Sequence, residues 1–128
     1  MTKKGMDKER RLVRYLENKG YGAVRVAGSG AGTPNPRPDI VAGKPNIKYA
    51  IELKSSDKNT IYIGRKQVED LKKFAHSFGS RAIICAWFTR ERPCFLEIGS
   101  LSKTKGDNYK VSRKSIHLLQ MEQKTVCL

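Results

Sequence analysis

The sequence predicts an α/β fold with its elements in the order αβββαββ. Three observations carry that prediction. Two stretches, 6–19 and 65–78, place apolar residues at helical spacing. Two apolar runs flank the breaker cluster Gly43-Lys44-Pro45-Asn46, which is the pattern of a hairpin. Residues 82–88 form a nearly unbroken apolar run with two isoleucines and Trp87, as expected of a strand buried on both faces.

Taken in order, the first helix carries Met6, Leu12, Val13 and Leu16 on one stripe, and Gly20 beyond Lys19 is a fitting stop. Residues 21–26 read as a short strand. Residues 27–38 hold three glycines and three prolines in twelve positions, which denies them regular structure. The hairpin follows, and Ile61-Tyr62-Ile63 extends or flanks the sheet. The second helix has Val68, Leu71, Phe74, Ala75 and Phe78 as its apolar stripe, stops at Gly79 and covers one sheet face. Residues 93–98 suit a neighbour of the central strand or an edge. Residues 102–115 are polar and basic with little pattern, and 116–128 fit a strand, a short helix or a tail that contacts a second copy. At 128 residues the chain suits a single domain.

Twenty-six Lys and Arg against twelve Asp and Glu leave a net charge of +14, which points to a polyanionic partner, with nucleic acid first. No long apolar span, interfacial amphipathic helix or signal peptide is legible, so a cytoplasmic protein is expected. Cys85, Cys94 and Cys127 form no Cys-x-x-Cys pair and read as reduced, with Cys85 and Cys94 in apolar runs. His76 and His117 show no ligand spacing.

The hairpin holds the chemistry. Alternation along its second strand sends Ala50, Glu52 and Lys54 to one face and Ile51 and Leu53 to the other. A two-residue turn sets Asp39 opposite Glu52; a four-residue turn sets it opposite Ala50, diagonal to Glu52. Either way Asp39 shares the face, whereas an odd-length loop would turn it away. Two carboxylates are hard oxygen ligands suited to Mg2+, and an adjacent ammonium can orient or help deprotonate a water or stabilise charge on a phosphate. The competing reading is an ordinary exposed Glu-x-Lys pair.

Glu9 lies three, four and seven residues before Leu12, Val13 and Leu16, on or beside the apolar stripe. It is either a further acidic ligand leaning toward the metal or a solvated residue of the helix start. The loop around Ser29 lacks a nucleotide-binding glycine motif. Its small residues, flanked by Arg25 and Arg37, suit approach to a DNA phosphate or a connection without contact. Lys3, Lys4, Lys8, Arg10, Arg11 and Arg14 crowd the N-terminal segment as candidate phosphate contacts. Gln67 either reaches the cleft or serves the helix start.

With Glu9, Val24-Arg25, Ser29-Gly30, Pro38-Asp39-Ile40, Ile51-Glu52-Leu53-Lys54-Ser55 and Arg65-Lys66-Gln67 assembled, the chain resembles the archaeal Holliday-junction resolvases of the restriction-endonuclease-like PD-(D/E)xK nuclease superfamily. The match covers most of residues 5–98. The resemblance implies a central mixed β-sheet flanked by helices, a homodimer, magnesium dependence, and paired symmetric nicks in four-way junction DNA. It carries over Glu9, Asp39, Glu52 and Lys54 as the catalytic set and Ser29 as a loop residue needed for cleavage. Asp39 and Glu52 are then expected as direct metal ligands and Glu9 as an outer or second-metal ligand. The rival expectations are a related endonuclease acting on duplex DNA and a non-catalytic basic nucleic-acid-binding protein.

Overall fold

Leu12 and Leu16 are fully buried, and they fix which side of the sheet the first helix covers. The computed structural model describes residues 3–27 and 35–128. In chain order its elements are α1 (Lys3–Asn18), β1 (Gly22–Arg25), β2 (Ile40–Lys44), β3 (Ile47–Ser56), β4 (Thr60–Ile63), α2 (Arg65–Phe78), β5 (Arg81–Phe88), β6 (Cys94–Leu96), β7 (Ser102–Lys103), β8 (Tyr109–Ser112) and α3 (Arg113–Met121). A single 3-10 turn, Ile98–Ser100, separates β6 from β7.

The main sheet has five strands in the order β1-β2-β3-β5-β6. It is mixed: β3 and β5 run parallel, and every other neighbouring pair is antiparallel. The parallel pair needs a crossover, which β4 and α2 supply. Both faces of β5 are covered, so its last six residues are buried, as its unbroken apolar run predicts.

Alternation divides the core in two. Leu12 and Leu16 of α1 pack with Ile40, Ile51, Ile83, Cys85 and Trp87 on one face. Val68, Leu71 and Ala75 of α2 pack with Ala50, Ile84, Ala86 and Phe88 on the other. A glycine in the left-handed region follows each of α1 and α2, Gly20 at φ 92° and Gly79 at φ 74°, where a side chain would be strained.

The strand at Ile61-Tyr62-Ile63 does not extend the main sheet. It pairs with β8, and β4-β8-β7 form a second, three-stranded antiparallel sheet. Alternation places Ile61 and Ile63 toward a core but cannot name the strand they pair with. The polar region 102–115 therefore contains two strands and the start of a helix. Residues 116–128 supply most of α3, and then Val126 donates its N–H to Phe95 O at 2.9 Å beside the edge strand β6.

Cys85 and Cys94 are buried and free, as expected of core thiols. Burial pushes the Cys85 thiol well up and that of Cys94 to about 11. No helix among the described residues is long and apolar enough to cross a membrane.

Candidate active site

Register decides what the hairpin can do. Ile40 pairs with Ile51 and Lys44 with Ile47, leaving Pro45-Asn46 as a two-residue turn. Asp39 N–H donates to Ile51 O at 3.1 Å, so the ladder continues one step past β2 and Asp39 stands opposite Glu52. Of the two even-length turns compatible with a shared face, the shorter is present.

Asp39 is held on three sides. Its Oδ2 accepts the Leu53 N–H at 2.9 Å, its own carbonyl accepts the Val26 N–H at 2.9 Å, and the N–H just described fixes its backbone. The Leu53 amide is a functional group that sequence reasoning missed, because a main-chain donor has no residue-type signature. Glu52 lies alongside, its side chain only 17% exposed. Lys54 Nζ is 3.9 Å from Glu52 Oε2.

Burial and the neighbouring Asp39 charge push the Glu52 carboxyl up to about 8, with Glu9 adding to the rise and Lys54 opposing it. Two carboxyls this close cannot both ionise cheaply, so they favour a shared proton or a cation. Hard oxygen donors at adjacent strand positions match what magnesium takes from a protein, a few carboxylates with its remaining positions left to water and phosphate.

Glu9 is a buried carboxylate at 4% exposure, so the reading as a solvated helix-start residue fails. Its Oε1 accepts from Arg25 Nε at 3.1 Å. Burial raises its pKa, the Arg25 bond opposes this, and the Asp39 charge raises it further. Glu9 is thus within electrostatic reach of the hairpin pair but is engaged by Arg25. Among the described residues no three His, Cys, Asp or Glu side chains converge closely enough to hold a metal by themselves. The expected ligand trio of Glu9, Asp39 and Glu52 is therefore present as a joined pair with a third carboxylate set apart by its salt bridge.

The candidate phosphate contacts separate into groups. Arg25 is committed to Glu9. Lys8 and Arg11 lie over the Trp87 ring, at 4.3 and 5.1 Å from its centroid. Arg10 is exposed beside Asp7 at 3.5 Å, and Arg14 is exposed. Arg37 is exposed and donates to Ala27 O at 3.2 Å. Gln67 serves the helix start: its Oε1 accepts the Gly64 N–H at 3.1 Å. Ser29 lies outside the described residues, as do the side chains of Lys3 and Lys4.

This arrangement has relatives. The family model described as archaeal Holliday junction resolvase (Hjc) matches residues 1–126. The chain belongs to that family. It is 37% identical over 122 residues to the crossover junction endodeoxyribonuclease Hjc of Archaeoglobus fulgidus, covering 95% of this chain and 88% of the relative. It is 33% identical over 114 residues to the Hjc of Sulfolobus acidocaldarius, covering 88% and 79%. The solved structure of Archaeoglobus fulgidus Hjc, a Holliday junction resolvase from an archaeal hyperthermophile, is similar with a TM-score of 0.80 and 35% identity, over 86% of this chain and 89% of that one. The fold is restriction-endonuclease-like, as the family resemblance implied.

Proposed function

We propose that this protein is an endodeoxyribonuclease that resolves four-way DNA junctions by paired, symmetric phosphodiester hydrolysis. Membership in the resolvase family supports the substrate, and the observation that carries the chemistry is Asp39 set opposite Glu52 with Lys54 beside it.

Asp39 and Glu52 would hold Mg2+, which when bound supplies a Lewis acid for the scissile phosphate and lowers the pKa of the attacking water. The Leu53 amide fixes the Asp39 carboxylate against reorientation. Lys54 lies near enough to the pair to orient the water or to neutralise charge that develops on a nonbridging phosphate oxygen. Glu9 and Arg25 keep a compensated charge beside these groups, with Glu9 as an outer ligand or the ligand of a second ion. Ser29 would take the part the family resemblance implies for it, a residue needed for cleavage. Arg10, Arg14 and Arg37, all exposed, would hold phosphates without reading bases.

Symmetric nicks need two such sites related by a dyad, so the protein acts as a homodimer. Its surface is the apolar groove of about 540 Å3 where Val24, Val41, Pro45 and Phe78 meet at the β1–β2 end of the sheet. Val24 and Phe78 are 58% and 47% exposed there, more than a solvated strand and helix require.

The test compares cleavage of a four-way junction with that of a linear duplex of equal length, with and without Mg2+, beside Asp39→Asn. Paired nicks in the junction alone, lost on chelation and in the variant, are expected. Equal cutting of linear duplex would replace the resolvase reading with a duplex endonuclease. Binding without any cleavage would leave a non-catalytic nucleic-acid-binding protein.

A further inference from the structure

The second sheet buries Ile61, Ile63 and Val111 in the same cluster as Ala50 of β3 and Val68 and Leu71 of α2. Ala50 shares its face with Glu52 and Lys54, so this sheet lies on the side of the main sheet that carries the site. Its other face is exposed at the described residues. Tyr62 is 65% exposed, Lys110 stands directly across the ladder from it, and Ser102 follows across from Lys110, both exposed. The surrounding segment is basic: residues 100–118 carry Lys103, Lys105, Lys110 and Lys114 against Asp107, besides Arg113, which is paired with Glu91.

We propose that the outer face of β4-β8-β7, centred on Tyr62 and Lys110, holds the phosphate backbone of one duplex arm of the DNA substrate. The proposal rests on the endonuclease reading and deepens it by naming where an arm lies beyond the cleaved position. Charge selects the occupant. A second copy docked here would oppose lysine to lysine, whereas a phosphate backbone is complementary to the row. Lys110 supplies an ammonium, and the Tyr62 and Ser102 hydroxyls supply neutral donors beside it.

The surface is also pre-set. Arg65 N–H donates to Asn108 Oδ1 at 2.9 Å, tying the β7–β8 turn to the start of α2. Arg113 N–H donates to Asn59 O at 2.9 Å, and its guanidinium donates to Lys58 O and Thr89 O at 3.1 Å each and to Glu91 Oε2 at 2.7 Å. These bonds anchor the far end of the same sheet, so little ordering remains to oppose binding.

The experiment uses the full chain with Lys110→Glu and Tyr62→Ala, both at exposed positions, and with Lys110→Gln as a milder companion should charge reversal disturb folding. Anisotropy in chelator reads binding to a long-armed four-way junction and to one trimmed to short arms, across a salt series. For Lys110→Glu, affinity for the long-armed junction should fall about five- to tenfold and the slope of log affinity against log salt should lessen by about one or more. Tyr62→Ala should weaken it by roughly threefold, on the scale of one lost hydrogen bond. Short-armed binding and the single-turnover cleavage rate at saturation should match the parent protein.

Parental affinity and salt slope in both position-110 variants would overturn the proposal, as would equal losses on long and short arms. A change in sedimenting mass for Tyr62→Ala would overturn it by making the face a self-association surface. A parent protein that binds junctions without ever cutting them would sink the endonuclease reading, yet the arm contact would still be read from the salt slopes.

Discussion

Neutralising Glu52 should make the metal-free protein more stable above neutral pH, although it removes a proposed metal ligand. Burial and the Asp39 charge raise the Glu52 carboxyl from 4.5 to about 8. A group raised on folding contributes its stability in full below its unfolded pKa and loses it as pH climbs through the folded one. The window therefore runs from about pH 4.5 to about pH 8, as those two values set it. At about 1.4 kcal/mol per unit the ceiling is about 5 kcal/mol, and because Glu52 interacts with the neighbouring Asp39, on the order of 2 kcal/mol should be observable. Urea unfolding of parent and Glu52→Gln in chelator, between pH 5 and pH 9, measures it. The parent should lose stability across the range and the variant should hold nearly level, so that the variant is the more stable at pH 9. Adding Mg2+ at pH 9 should restore the parent alone, by about 2.7 kcal/mol at a hundredfold excess over its dissociation constant. Parallel curves for the two proteins would refute the argument, because they would mean that Glu52 is not forced against Asp39.

Arg25→Ala strands the buried Glu9 carboxylate and should cost about 2–3 kcal/mol at pH 8. Urea unfolding should show the loss shrink as pH falls, because burial raises the Glu9 carboxyl and the variant removes the Arg25 bond that opposes the rise. Lys54→Ala should cut the single-turnover cleavage rate by about 100-fold or more while leaving junction affinity within a few fold. Arg113→Ala removes bonds to Lys58 O, Thr89 O and Glu91 and should lower stability by about 2 kcal/mol, read by thermal or urea unfolding. The hydrogen bond with His117, aided by one from Arg113, holds Glu91 below the usual carboxylate range. Its contribution is thus present above pH 4.5 and lost as pH falls further, and Glu91→Gln should lack that acid limb.

Much of the site was legible because strand parity is a strict rule. Any even-length turn puts Asp39 on the face of Glu52 and Lys54, so the shared face followed from residue spacing before the turn was known. Which residue Asp39 opposes depended on turn length, and Pro45-Asn46 settles it. The two main helices and the doubly buried β5 were equally readable, since their apolar patterns are long. The second sheet was not. Its strands are short, β7 has no apolar residue, and β8 offers only Tyr109 and Val111 as an alternating pair. That pair, followed by Ser112 and Ser115 as a helix-start motif, was the available signal.

The N-terminal cations show why a charge count overstates a binding surface. Composition makes Lys8 and Arg25 equal to Arg11 and Arg14, but tertiary structure leaves the latter two exposed and the former two partly buried. Trp87 lies on the α1 side of β5, where its indole N–H donates to Glu91 O at 2.9 Å, and Lys8 and Arg11 lie over its ring. Arg25 compensates a carboxylate that would otherwise be buried alone. These pairings arise between positions far apart in the chain, so no local pattern announces them. The cations left at the surface include Arg14 on the α1 side and Lys110 on the second sheet, on opposite sides of the main sheet. A single straight duplex cannot lie flat on both sides, whereas a branched substrate, or two copies sharing one, can engage them together. The distribution of unspent charge is thus a physical reason, separate from the cleavage chemistry, for a DNA with arms that diverge.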